Sequence, residues 1–415
     1  SFSVHGELSL DGRIRPIRGV IVHAIGAVTR SLSKIIVPLE NIGEASLVQG
    51  VSSLSAGSLT ELIGCLNGKV QFQLAKPQPL DSTPEASSYV LDDVIGQESA
   101  KRALIIAAAG GHNLLMIGPP GCGKSMLAKR FVSLLPSLSE KEVIEVVKVH
   151  SVSGSALQQF LRGVRPFRSP HHHISDAGLI GGGSNPRPGE ISMAHRGVLF
   201  LDEFPEFRRS AIEALRAPLE TGQVSIARAK EVATFPASFQ LIAAMNPCPC
   251  GNLGVKVAER ARVCLCTRTA IDSYLKKLSQ PILDRIDLQV ELEPVALTEL
   301  TAGNGHRESA CHVHLEAKGV IGKARALQIE RQGGLNSGLD SKQLGVRTTL
   351  DAKAKQLLER AAAKVGLSAR GYVRTLRVAA TIADLQESPE IASPHIAEAL
   401  SFRGLERVRA FVDGY

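Results

Sequence analysis

The sequence predicts an α/β core followed by a helical C-terminal region and preceded by a smaller α+β segment. Three apolar runs carry the α/β reading. Leu114-Leu115-Met116-Ile117 leads into Gly118-Pro119-Pro120-Gly121-Cys122-Gly123-Lys124-Ser125, Val198-Leu199-Phe200-Leu201 leads into Asp202-Glu203, and Phe239 to Met245 leads into Asn246. Each reads as a short buried strand that ends at a polar turn.

The first run and its glycine-rich loop form a strand, a phosphate cradle and a helix start. Consecutive backbone N–H groups can turn toward the β- and γ-phosphates at the N-terminus of a helix predicted to reach about Leu135. Lys124 supplies a point charge, and the Ser125 hydroxyl is placed to coordinate Mg²⁺. A nucleoside triphosphate is therefore the expected ligand, with Gly118, Pro119, Pro120, Gly121, Cys122, Gly123, Lys124 and Ser125 lining it. At the second strand Asp202 is expected to hold Mg²⁺ and Glu203 to orient and deprotonate the attacking water. Asn246 is a neutral amide able to hydrogen-bond both a γ-phosphate oxygen and that water. Within Leu283-Asp284-Arg285-Ile286-Asp287, Arg285 can act on a neighbouring subunit's γ-phosphate; taken alone it reads as a surface ion pair with Asp284 or Asp287.

Loop, acidic pair, asparagine and arginine in this order resemble an AAA+ ATPase whose active sites lie between subunits. Longer stretches narrow the resemblance. Arg165-Pro166-Phe167-Arg168-Ser169-Pro170-His171-His172, and Gly181-Gly182-Gly183-Ser184-Asn185-Pro186-Arg187-Pro188-Gly189-Glu190-Ile191-Ser192-Met193-Ala194-His195-Arg196-Gly197 before the acidic strand, resemble magnesium-chelatase-related AAA+ ATPases of the ComM/YifB type. The resemblance covers nearly the whole chain. It implies ATP and Mg²⁺, a hexameric ring, a degenerate Lon-protease-like domain in front of the P-loop core, and a DNA helicase that drives branch migration in natural transformation. Two other functions fit parts of the pattern. One is a magnesium chelatase ATPase subunit. The other is a nucleotide-switched transcription regulator, whose GAFTGA insert loop the sequence lacks.

At 415 residues two or three domains are expected. A net charge of +8 favours a polyanionic partner such as DNA, although 48 basic against 40 acidic residues is a mild excess. No run of about 18 apolar residues and no signal-like opening occur, so the expectation is a soluble cytoplasmic protein without a membrane partner. The chain opens on Ser1 rather than Met, which suggests that it starts inside its first domain. Gly6 to Gly19 resembles part of the Lon proteolytic domain, but no lysine occurs before Lys34, so a serine–lysine dyad is unsupported. The expected organisation is an inactive partial Lon-like domain over 1–75, a linker over 76–90, the AAA+ α/β subdomain over 91–295, a connection over 296–345 and a helical lid over 346–415.

Within the core, Val94, Ile95 and Gly96 precede a helix from Ser99 to about Ala109 and match residues that border adenine in AAA+ proteins. From Lys124 to Asp202 is 78 positions, more than helix, strand and helix require, so an insert is expected over 163–197. It resembles the helix-2 insert that faces the pore of related motors, with Arg187 as a candidate phosphate contact. His171, His172 and His173, read as extended chain, would point to alternate sides, which favours a structural or DNA-facing role over metal. Residues 223–236 read as a β-hairpin with Arg228 and Lys230 at its tip, positioned to track a nucleic-acid backbone independently of sequence. Without Trp and with four Tyr, base stacking has few carriers.

Cys248 and Cys250, then Cys264 and Cys266, are four of seven cysteines and candidate ligands of a structural Zn²⁺; free thiols remain the alternative. Cys122 opens as either an oxidation-sensitive thiol or a space filler. A helix around His314 to Gln332 is expected within the connection. Leu350, Ala354, Leu357, Ala361 and Val365 then repeat at helical spacing up to Gly366. Ser368 reads as the N-cap of a helix carrying Arg370, Arg374 and Arg377, and Ser393-Pro394 opens another. The family resemblance makes Arg370 the second sensor arginine, which would touch the γ-phosphate.

Overall fold

The computed structural model describes residues 1–74, 89–183, 186–227, 232–254, 263–294, 312–365, 367–405 and 408. Its opening domain contains β1 (Phe2–Val4), a small antiparallel pair β2 (Glu7–Leu8) and β3 (Ile14–Arg15), then β4 (Lys34–Val37), β5 (Ser52–Ser55) and β6 (Gln73–Leu74). β1, β4 and β5 run parallel, and β6 closes the order β1-β4-β5-β6 antiparallel to β5.

The main sheet belongs to the second domain. Its strands are β7 (Leu114–Ile117), β8 (Phe167–Arg168), β11 (Val198–Leu201), β14 (Gln240–Met245) and β15 (Leu288–Glu291), all parallel in the order β15-β7-β14-β11-β8. Between them lie the antiparallel pair β9 (Gly181–Gly182) and β10 (Arg187–Pro188), and the hairpin of β12 (Gln223–Ala227) and β13 (Val232–Pro236). All four residues of β7 and of β11 are buried, which is why both read as unbroken apolar runs rather than alternating ones. Truncating one of these, such as Leu115 to Ala, removes a fully buried side chain and costs about 2–5 kcal/mol.

The expected insert over 163–197 is narrower in the structure. Phe167 and Arg168 join the main sheet beside Val198 and Leu199, with Phe167 stacked on Phe200 at 6.2 Å. Arg168 grips Glu190 with both ends of its guanidinium, at 2.5 and 2.6 Å. What remains of the insert is the helix Asp176–Ile180, anchored by the buried Leu179, with the β9–β10 pair. Much of the surplus length lies earlier, in the helix Glu140–Ser153. Ser139 and Glu142 form a reciprocal capping box at its start, and Gly154 ends it in the left-handed region at φ 77°.

That helix joins the first domain to the core. Val143, Val146 and Val147 pack against Val20, Ile21, Ala24, Ile35 and Val37 in one buried cluster. Polar contacts reinforce the seam: the Gly19 amide donates to Ser151 Oγ at 2.8 Å, and Ser151 Oγ donates to Glu44. The expected linker ends earlier than residue 90, because Arg130 Nε donates to the Val90 carbonyl and Ser133 Oγ to that of Tyr89, at 2.7 and 2.8 Å.

Helices His312–Gln332, Ser341–Arg347, Ala352–Val365, Ala369–Leu385 and Ser393–Ser401 form the C-terminal region. Two of them pack on Glu98–Gly110, whose buried Ala103, Ala107 and Ala108 let helix backbones approach closely; Ala324, Val378 and Ile382 share that core. His112 ties the region to the sheet, with Nδ1 2.9 Å from Asp287 and Nε2 2.8 Å from Thr381 Oγ1.

Candidate active site

The loop after β7 is held where phosphates would bind. A Cβ on Gly118 would sit 2.8 Å from Cys122 Sγ and from the Leu292 carbonyl, so only glycine fits there. Gly123 has φ 96°, which lets the chain turn from loop into the helix Lys124–Leu134. Lys124 Nζ donates to the carbonyls of Gly118 at 2.6 Å and Pro119 at 2.9 Å, and to Asn246 Oδ1 at 3.2 Å. Ser125 Oγ donates to Asp202 Oδ2 at 2.6 Å. The loop, β11 and β14 thus bring Lys124, Ser125, Asp202 and Asn246 to one point. This donor set fits an ATP–Mg²⁺ complex: a cation for phosphate oxygens beside a hydroxyl and a carboxylate for a hard ion.

Glu203 follows Asp202 with φ 52°, and its amide donates to Asp202 Oδ1 at 2.9 Å. Its Oε2 lies 3.0 Å from His172 Nδ1. The sequence offered His172, with its two neighbours, only a structural or DNA-facing role and no place beside Glu203. The reading of 171–173 as extended chain is corrected by a turn that gathers the three rings, tilted against one another with centroids 4.2 to 5.1 Å apart. A turn gathers side chains that a strand would alternate.

Cys122 is buried, and that burial pushes its thiol pKa up against the pull of Lys124, which favours the space-filling role. Ile95 and Gly96 lie partly buried ahead of Glu98–Gly110. Beside them Gln97 Nε2 bridges the carbonyls of Cys122 at 3.2 Å and Glu293 at 2.6 Å, linking this segment to the phosphate loop.

Arg285 stands at the other end of the strand. Asn113, which precedes β7, donates to the Arg285 carbonyl at 2.8 Å, whereas Gly118 follows β7. Five residues of extended chain span about 16 Å. The sequence offered Asp284 or Asp287 as ion-pair partners for Arg285; instead its guanidinium meets Glu220 at 2.7 Å and the Pro281 carbonyl at 2.5 Å. Asp287 is taken by His112, and Asp284 by Arg374 at 3.2 Å and Arg370 at 3.6 Å. The Arg285 guanidinium, by hydrogen bond and charge, holds the Glu220 carboxyl below its usual pKa.

Arg370 therefore lies with Arg285 and not beside the phosphate loop of its own chain. The cause is the packing of Ala369–Leu385 on Glu98–Gly110, which brings the arginine-bearing end of this helix to the amino ends of the sheet strands. A cavity of about 830 Å³ there is lined by Glu220, Asp284, Arg285, Arg370, Arg374 and Arg377. Arg374 is a buried clamp, 11% exposed and bonded to the carbonyls of Leu283 and Ile286, while Arg370 is 68% exposed.

Arg187 is exposed on the β9–β10 pair. Arg228 and Lys230 lie outside the described residues; the strands on either side of them pair antiparallel. Cys248, Cys250, Cys264 and Cys266 converge with all four sulfurs within 4.8 Å of one another. No described helix is long and apolar enough to cross a membrane.

Known proteins match this arrangement. Residues 90–300 match the family of magnesium chelatase, subunit ChlI, and residues 316–403 match the C-terminal region of that subunit. Competence protein ComM of Haemophilus influenzae is 43% identical over 410 residues, covering 98% of this chain and 78% of its own. The uncharacterized protein YifB of Escherichia coli is 43% identical over 409 residues with the same coverage. Lon protease 2 of Bacillus subtilis is 24% identical over 273 residues, 58% of this chain and 49% of its own. The chain belongs to the ComM/YifB-like, magnesium-chelatase-related family of AAA+ ATPases.

Proposed function

We propose that this protein is a Mg²⁺-dependent ATPase that assembles as a ring, hexameric by family analogy, and spends ATP hydrolysis on moving DNA, as a branch-migration helicase in recombination of acquired DNA. The observation that carries the ring is the separation of Lys124 and Glu203 from Arg285 and Arg370 across the sheet. Within one chain these two sets of groups stand at opposite ends of the strand, which supports a site completed by a neighbouring copy.

In the assembled site Lys124 would bind the β- and γ-phosphates of one subunit's ATP, and Ser125 and Asp202 would hold Mg²⁺, which would supply neutralisation of phosphate charge. Asn246 orients the attacking water and Glu203 accepts its proton. Arg285 and Arg370 of the neighbouring subunit stabilise charge on the departing phosphoryl group. His172 positions Glu203 and precedes the helix Asp176–Ile180 and the β9–β10 pair in the chain. Arg187, Arg228 and Lys230 are the proposed phosphate contacts, reading backbone rather than sequence. The name of the Haemophilus relative supports a role in competence.

The magnesium chelatase match favours a second reading, an ATPase subunit acting on a metal-inserting partner. That match begins at residue 90, whereas similarity to ComM and YifB takes in the first domain as well, so the competence-type reading is preferred. Strand displacement on synthetic branched DNA tests it, with Lys124→Ala and Glu203→Gln as inactive controls. Displacement by the unaltered chain alone, with ATP turnover stimulated by DNA, is expected. ATP turnover indifferent to DNA, with no displacement, would count against a DNA motor.

A further inference from the structure

Asn246 closes β14, and the chain behind it makes a knuckle. Cys248 and Cys250 sit in the turn after Asn246, and Cys264 and Cys266 lie just ahead of the helix Arg268–Leu275. The separation is 3.4 Å between the sulfurs of Cys248 and Cys250, 3.7 Å between Cys248 and Cys264, and 3.6 Å between Cys250 and Cys264. A tetrahedral Zn²⁺ with Zn–S bonds of about 2.3 Å places its sulfurs about 3.8 Å apart. A disulfide would need about 2.05 Å. Backbone amides already face the sulfurs: Leu253 bonds Cys248, Asn252 bonds Cys250, and the Cys250 amide bonds Cys266.

Two contacts join this knuckle to the catalytic groups. Gly251, at φ 77°, lies so close to the phosphate loop that a Cβ there would meet Pro120 Cδ at 2.5 Å and Asn246 Cγ at 3.7 Å. Tyr274, buried on the following helix, hydrogen-bonds the Asn246 backbone.

We propose that Cys248, Cys250, Cys264 and Cys266 bind one Zn²⁺, and that the metal-held knuckle braces Asn246 and the Pro120 side of the phosphate loop in their hydrolytic positions. Binding converts four thiols to thiolates and releases their protons to solvent. The ion does no chemistry on ATP; it fixes the turn on which the water-orienting amide stands. This rests on the ATPase reading of the loop and not on movement along DNA.

The test is metal analysis of the purified full chain beside steady-state ATP turnover. One zinc per chain is expected. Removal by a strong chelator should lower turnover about tenfold, in line with losses from disrupting groups that orient a site, and added Zn²⁺ should restore it. The double variant Cys264→Ser/Cys266→Ser should lose both metal and turnover. Gly251→Ala should keep its zinc yet turn over ATP several-fold more slowly, which separates brace from fold. No bound metal, or iron in place of zinc, would overturn the metal assignment. Stoichiometric zinc whose reversible removal leaves turnover unchanged would overturn the brace while leaving the site. A zinc-loaded chain that neither binds nor hydrolyses ATP would instead sink the ATPase reading beneath it.

Discussion

The two ends of the strand Leu114–Ile117 are chemically opposite. Beyond its carboxyl end stand one lysine, a serine, two carboxylates and an asparagine, arranged to receive phosphate and Mg²⁺. Around its amino end stand Arg285, Arg370, Arg374 and Arg377, partly neutralised by Glu220 and Asp284. On the proposed reading, the far-side arginines would make each subunit's hydrolysis depend on its neighbour. The comparison also divides the arginines. Arg374 is spent on backbone carbonyls, while Arg370 is largely exposed beside Asp284.

Arg285→Ala should break the comparison most severely. An arginine acting across an interface is worth about 10³ to 10⁵ in kcat, so a loss of at least about 10³-fold in ATP turnover is expected with nucleotide affinity nearly unchanged. Steady-state kinetics with a fluorescent-nucleotide titration checks this. Glu203→Gln should lower kcat by about 10² to 10⁴ and trap bound ATP, visible as nucleotide that survives gel filtration. Arg370→Ala and Arg374→Ala should diverge. The first costs turnover about 10²-fold at unchanged melting temperature; the second costs folding stability by about 2–3 kcal/mol, because two buried carbonyls lose a donor and Asp284 loses one of its partners.

A smaller effect belongs to the seam between domains. His150 lies on Glu140–Ser153 against Phe160, and burial lowers its pKa from 6.5 to about 4, with the Met193 carbonyl as partner. The folded pKa is the lower one, so the contribution is complete above pH 6.5 and is lost as pH falls toward about 4. Up to about 3 kcal/mol should disappear over that window. His150→Phe should flatten the pH dependence of the melting temperature.

Much of this was legible in sequence because the chemistry sits at strand ends. Leu114–Ile117, Val198–Leu201 and Gln240–Met245 are unbroken apolar runs, and each is followed at once by its functional group. Ser368 announced its helix by N-cap chemistry. Phe167–Arg168 escaped because a two-residue strand has no periodicity, and only its ladder with Val198 and Leu199 defines it. The helix Glu140–Ser153 carries a local signal, Ser139 with Glu142 and then Gly154, that marks a helix but not its place in the seam. The partners of Glu203 and Arg285 could not be read. His172 precedes Glu203 by 31 positions, and Glu220 precedes Arg285 by 65, so packing alone brings them together. The same holds for Arg370, whose number in the chain says nothing of which end of the sheet its helix reaches.

The most direct test mixes two inactive proteins, Lys124→Ala and Arg285→Ala, and measures ATP turnover. Each keeps the half that the other lacks. If sites form between copies, the co-assembled mixture should regain turnover well above the sum of its parts, up to about a quarter of the intact protein by random assortment. Co-assembly without any recovery, or a monomeric Arg285→Ala chain hydrolysing ATP at the unaltered rate, would contradict the account.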